Sequence, residues 1–206
     1  LTQVRIRGSE GNHTLVLIDG VEVNDLGFNS EFDFGNLLTD SIERIEILRG
    51  PQSTLWGGDA VGGVINIITK KGKGRPSISA FVEGGSFQTG RGSATLSGSG
   101  GLWTYSLTGS HLQTHGISHA NENNGNRETD GYENDSLLGS IGVQALDNLM
   151  IDVFSRYRNS TVETDPQTFN TVTFLSNPPA DGNTRSDGRE RQGAIKATAD
   201  FLDGRF

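Results

Sequence analysis

Cysteine is absent from all 206 residues, so disulfide frameworks, thiolate-ligated zinc, iron–sulfur clusters and cysteine nucleophiles are excluded. Long apolar runs are absent too. Mean hydropathy is −0.41, and nothing approaches the roughly 18 apolar residues of a membrane-spanning helix. That excludes a helical membrane protein and leaves open a membrane β-barrel, whose strands are apolar on one face only. Positive charge is scarce: 17 Lys and Arg stand against 25 Asp and Glu, a net charge of −8. Nucleic acid is therefore not expected as a partner, because phosphate neutralisation needs clustered Lys and Arg. Enzyme signatures are missing as well. There is no G-x-S-x-G, H-E-x-x-H or Walker A motif, and Gly98, Gly100 and Gly101 do not complete a dinucleotide fingerprint. No charged-then-apolar leader follows Leu1, so no signal peptide is expected within the chain. What is abundant is glycine, with 29 residues, about twice its usual share of roughly 7%.

Two regions read differently. Up to residue 69, short apolar runs alternate with glycine turns. Leu15–Ile18 before Asp19-Gly20, Ile42–Leu48 before Gly50-Pro51, and the mostly β-branched Val64–Thr69 read as strands buried on both faces. Val4-Arg5-Ile6-Arg7-Gly8 also has a strand pattern. A basic connector, Lys70 to Pro76, follows and reads as a solvated hinge. From residue 77 the period becomes 2. Ile78, Ala80 and Val82 alternate with Ser77, Ser79 and Phe81, and Trp103, Tyr105 and Leu107 alternate with Thr104, Ser106 and Thr108. The same holds around Ala94, Leu137–Ala145, Leu149–Tyr157 and Ile195–Phe201, with Leu138, Met150 and Phe154 as exceptions.

Short connections (Gly98–Leu102, Leu146–Asn148) alternate with long polar ones (Gly116–Ser136, Asn159–Glu190). That layout, with small polar residues on the second face, favours an outer-membrane barrel over a soluble β-sandwich. Phe87, Trp103, Tyr157 and Phe201 stand near strand ends, where interfacial aromatics belong. Barrels of this type begin at about eight strands. The chain is therefore expected to be a fragment, truncated at both ends. The expected organisation is part of an α+β domain over 1–72, a hinge at 73–76 and antiparallel barrel strands over 77–206.

Two stretches carry a family resemblance. One is Val4–Gly8 followed by Leu15-Val16-Leu17-Ile18-Asp19-Gly20-Val21. The other is Ile42-Glu43-Arg44-Ile45-Glu46-Ile47-Leu48-Arg49-Gly50-Pro51, then Ser53, Trp56-Gly57, Ala60 and Gly62–Thr69. Together they resemble the plug domain of TonB-dependent outer-membrane receptors. His13, Asp59–Gly63 and Thr114-His115-Gly116 are most similar to the cobalamin (vitamin B12) transporter group, and ferric-siderophore receptors share the plug motifs. The resemblance implies a plug inside a barrel of about 22 strands, in the outer membrane of a Gram-negative bacterium and in contact with its lipid. It implies active uptake of a large nutrient, cobalamin or a ferric siderophore, with no covalent chemistry. The energy comes from a TonB complex engaging an N-terminal segment absent from this sequence. It also implies that Arg5, Arg7, Arg44 and Arg49 can pair with lumen-facing acids. The competing reading from another class is a secreted β-rich adhesin that binds without transport.

Transferred position by position, the resemblance implies ligand contacts at Leu1, Gln3, Glu10, Phe28 and Asn29 on the plug apices. Glu10 and Phe28 differ in type from the cobalamin group's usual residues. It also implies calcium in the long acidic connections, with Glu128, Asp130, Asp165 and Asp187 as ligand candidates and Ser118 where the group has an aspartate. His111, His115 and His119 follow one another at intervals of four. An extended strand leaves them more than roughly 13 Å apart end to end, too far to share one ion.

Overall fold

The computed structural model describes residues 2–24, 30–117, 129–164 and 184–200, and the backbone of 169–170 and 175–176. The chain forms two compact units, Leu1–Gly72 and Lys73–Phe206.

The first unit is built on a four-stranded sheet in the order β2-β1-β4-β3, with β1 Thr14–Ile18, β2 Val21–Glu22, β3 Ile42–Arg49 and β4 Gly63–Thr69. β1 and β4 run parallel at its centre, with Thr14 opposite Gly63 and Ile18 opposite Ile67. Alternation sends their side chains to two cores. Val16, Ile18, Ile65 and Ile67 join Ile6, Val23 and Phe32, while Leu15, Leu17 and Val64 close over Ala60. Every residue of β1 is buried, as a central parallel strand requires.

Polar side chains lock the ends of these strands. Asp19, held at φ 51°, accepts from the Thr69 N–H at 3.0 Å and the Thr69 hydroxyl at 2.5 Å. Asn24 accepts from the Val16 N–H at 2.7 Å and donates to the Thr14 and Ser30 carbonyls. Asp33 accepts from Thr2, Gly35 and Asn36. A four-residue helix, α1 Ser53–Trp56, follows β3.

Two expectations fail here. Val4–Gly8 is no strand: Arg7 and Gly8 take φ of 53° and 80°, and the Ser9 N–H closes a turn onto the Ile6 carbonyl at 3.1 Å. Two successive left-handed residues reverse the chain instead of extending it. β3 is a strand but is not buried on both faces. It lies at the sheet edge, pairs only with β4, and leaves Ile45 and Ile47 about half exposed. Its interleaved Glu43, Arg44 and Glu46 keep it in water. Arg44 donates to Glu46 at 2.8 Å and holds that carboxyl below the usual carboxylate range.

The second unit is an antiparallel meander of six strands: β5 Ser77–Gly85, β6 Thr89–Gly100, β7 Trp103–Thr114, β8 Tyr132–Leu146, β9 Leu149–Thr164 and β12 Thr184–Ala199. Two short strands, β10 Phe169–Asn170 and β11 Leu175–Ser176, pair with each other between β9 and β12. Three strands run further than their apolar alternation does. Tyr132–Ser136, Asn159–Thr164 and Thr184–Glu190 stay in register although polar, because the ladder needs only backbone groups. β7 accordingly ends at Thr114 with β8 beginning at Tyr132, and β9 ends at Thr164 with β12 beginning at Thr184.

The two faces of this sheet are inverted relative to a water-soluble one. Ser93, Thr95, Ser106, Thr108, Ser110, Asn134 and Ser160 are buried on one face. Cross-strand hydroxyl pairs join Thr95 to Thr108 at 3.0 Å and Ser110 to Ser93 at 3.1 Å. The exceptions Leu138 and Phe154 are buried among them. On the other face Ile78, Val82, Leu96, Leu107, Leu137, Ile141, Val153 and Ile195 are exposed.

Gly63 offers a test of the first unit. A β-carbon there would collide with the Leu48 carbonyl oxygen and stand 2.9 Å from the Ile6 side chain, whereas Gly58 faces open space. Gly63→Ala should cost about 1–3 kcal/mol, the usual range for overpacking, and Gly58→Ala much less. Urea titration followed by tryptophan fluorescence would measure both, since Trp56 lies in the same unit.

Candidate functional site

The sequence points to two groups of site residues, one in each unit. In the first unit, Leu1, Phe28 and Asn29 lie outside the described residues. Gln3 and Glu10 are described, and Arg5 joins them. Its guanidinium lies 3.3 Å from the Glu10 carboxylate and donates to the Gln3 side-chain oxygen at 3.2 Å. The amide of Gln3 then donates to Glu31 at 2.5 Å. Glu31 is buried, and Gly11 makes room for it, since a β-carbon on Gly11 would come within 3.1 Å of its carboxylate. Arg5 and Glu10 are exposed. The result is a polar chain from solvent to a buried carboxylate. Glu31 was invisible to sequence reasoning because no spacing relates it to Gln3, and only the fold brings them together.

In the second unit, Glu128 and Asp165 lie outside the described residues. Asp130 is buried just before β8. Beside it, the Glu163 N–H bonds the Gly131 carbonyl at 2.8 Å, and the Glu163 carboxylate leans over the α-carbon of Gly131. Asp187 sits within β12, not in a loop, opposite Thr161. It accepts from the Thr161 hydroxyl at 2.7 Å and from Arg185 at 3.0 Å. Of the four acids, then, two are described, and each has its own surroundings.

On the hydroxyl-rich face, Glu190 bridges two arginines. It lies 3.4 Å from Arg156 and accepts from Arg158 at 2.9 and 2.7 Å. Both guanidiniums are largely buried. On the opposite face, exposed aromatics mark both ends of the apolar band. Trp103 opens β7, and Tyr157 lies beyond Val153 on β9, with the Arg191 guanidinium 5.8 Å from the centre of its ring. Charged and polar side chains take over past Tyr157.

Residues 1–64 match the family model described as the TonB-dependent Receptor Plug Domain. Among solved structures, the chain is similar to the ferripyoverdine receptor of the outer membrane of Pseudomonas aeruginosa over 96% of its length, at 16% identity and a TM-score of 0.71. It is similar to the ferric enterobactin receptor of the same organism over 97%, at 21% identity and a TM-score of 0.65. A third likeness, to the siderophore receptor PirA from Acinetobacter baumannii, covers 95% at 20% identity and a TM-score of 0.60. The chain spans 26%, 32% and 38% of those chains, respectively. At these identities the likeness establishes the fold: part of a plug domain followed by antiparallel strands of a transmembrane β-barrel.

Glu190 gives the sharpest structural test of the barrel strands. Glu190→Ala leaves two neighbouring guanidiniums without their shared carboxylate and should destabilise the sheet by roughly 3 kcal/mol, the lower end for a broken buried pair. Glu83→Ala removes an exposed partner of Arg91 and should cost under about 1 kcal/mol. Urea midpoints of the two variants in detergent would show the contrast.

Proposed function

We propose that the protein is a TonB-dependent receptor of the Gram-negative outer membrane that takes up a ferric siderophore. The observation that carries this reading is a plug-domain match running directly into an inverted sheet, apolar on its exposed side. An apolar exposed face suits hydrocarbon, and a face of hydroxyls and buried ion pairs suits a polar lumen. No covalent step is involved. The receptor binds its cargo at the outer surface, and the plug rearranges when a TonB complex driven by the proton-motive force pulls on it.

The polar chain from Arg5 to Glu31 fits that task. Such contacts hold a fixed orientation yet exchange readily with water. Gln3 and Glu10, with Leu1, Phe28 and Asn29, are the residues proposed to meet the cargo. Siderophores are preferred as cargo because the structures of similar fold are those of ferric-siderophore receptors. Cobalamin is the second reading, resting on His13 and the Thr114-His115-Gly116 segment. Calcium held by Glu128, Asp130, Asp165 and Asp187 belongs to that second reading.

Uptake assays in a deletion strain test both. Radiolabelled iron supplied as ferric enterobactin or ferripyoverdine should enter cells with the gene and not cells without it, and a protonophore should abolish entry. Unchanged iron uptake in the deletion strain, with calcium-dependent loss of cyanocobalamin uptake, would instead establish the second reading. The membrane assignment has its own test. Ile141→Arg places a charge on the exposed apolar face, at a cost of about 2–4 kcal/mol near the bilayer midplane. It should sharply lower the amount of folded protein in outer-membrane fractions, while Thr104→Ser on the opposite face should not.

A further inference from the structure

We propose that His111, Glu133 and Asp135 form a binding site for a divalent first-row transition-metal ion, a function separate from transport of the cargo. The three side chains share the outward face of β7 and β8, just past the apolar band. Register brings them together: His111 stands opposite Asp135, and Gln113 stands opposite Glu133. One nitrogen of the imidazole and one oxygen of each carboxylate lie within 4.8 Å of one another. The imidazole Nδ1 lies 2.7 Å from the Asp135 carboxylate, which fixes the plane of the ring.

Three features argue for a metal ion. The donor set mixes one imidazole with two carboxylates, which suits zinc, manganese, cobalt or nickel and does not suit the all-oxygen preference of calcium and magnesium. Two carboxylates on one face of one strand also repel each other, and a divalent cation relieves that repulsion. On the same face, the guanidinium of Arg185 donates to Asp187 and Thr161 and that of Arg189 to Asn159, so the hydrogen bonds of both go to groups outside the trio. Finally, His111 and Asp135 border a depression of about 890 Å³ that Gln113, Leu137 and Tyr157 also line. That space admits the ion with the waters that complete its coordination.

Donors of one tetrahedral ion stand about 3.4 Å apart at bond lengths near 2.1 Å. No two donors are more than 4.8 Å apart, so Glu133 closes by at most about 1.4 Å, while the 2.7 Å contact of His111 with Asp135 opens slightly; side-chain rotations cover both. The strands themselves need not move, because cross-strand pairing has already set the backbone. Neither the histidine row nor the acid-rich connections predict this trio, since His111 comes from β7 and the two acids from β8.

The test is calorimetric titration of the detergent-solubilised protein with zinc chloride, paired with the visible spectrum of the cobalt(II) form. One saturable ion per chain is expected, together with intense cobalt bands of a four- or five-coordinate site with a nitrogen ligand. His111→Ala and Asp135→Asn should each weaken binding roughly tenfold or more, whereas Asp152→Asn on the opposite face should leave it unchanged. Circular dichroism of each variant checks that the sheet persists. No saturable binding by the unaltered protein, or equal affinity in the His111→Ala/Asp135→Asn double variant, would overturn the proposal. Neither result bears on cargo uptake, which the deletion strain measures independently.

Discussion

The backbone ladder of the six-stranded sheet must be complete whatever its side chains face, and the rest of the second unit follows from that. In hydrocarbon an unpaired N–H or C=O has no water to turn to, so strands there must be fully paired along their length. The β9–β12 ladder runs unbroken from Thr184–Thr164 to Ala199–Leu149. Once the backbone is satisfied in this way, side chains can divide by face without regard to the usual rule. Aliphatic groups stand outward, and the hydroxyls, which need partners, turn toward one another, as Thr95 does to Thr108. The buried Arg156–Glu190–Arg158 group belongs to the same polar face and would be costly on the other.

The first unit solves a different problem. It has too few strands to close on itself, so its stability rests on two small apolar cores around β1 and β4 and on side chains that substitute for missing ladder partners. Asp19, Asn24 and Asp33 each accept backbone N–H groups that no strand reaches. The same economy shapes the candidate cargo surface. Gln3, Arg5, Glu10 and Glu31 link irregular segments through polar contacts alone, without an apolar anchor among them.

Much of this was legible in the residues. The β-branched run Val64–Thr69 and the run Leu15–Ile18 are central strands, and the period-2 pattern from Ser77 onward is the meander. The failures have physical reasons. Val4–Gly8 alternates correctly but carries a turn, because alternation does not reveal backbone sign at Arg7. Glu133, Asp135 and Asp187 read as loop acids because nothing apolar accompanies them, yet ladder pairing holds them in strands. Glu31 and the His111 trio depend on contacts between segments far apart in sequence, and no local pattern encodes those.

Register also gives the two units different loop-closure costs. In the meander, tight connections set three ladders close in sequence: β5–β6, β6–β7 through Gly101-Leu102, and β8–β9 through Asp147-Asn148. The first unit instead joins Thr14 to Gly63 and must close the whole intervening loop before its central pair exists. The entropic cost of closing a loop grows with its length. Hairpins such as β6–β7 and β8–β9 therefore carry a small loop-closure cost, and the β1–β4 pair carries a larger one. The wall is made of pairings between close neighbours in sequence, whereas the domain before it depends on one distant pairing at its centre.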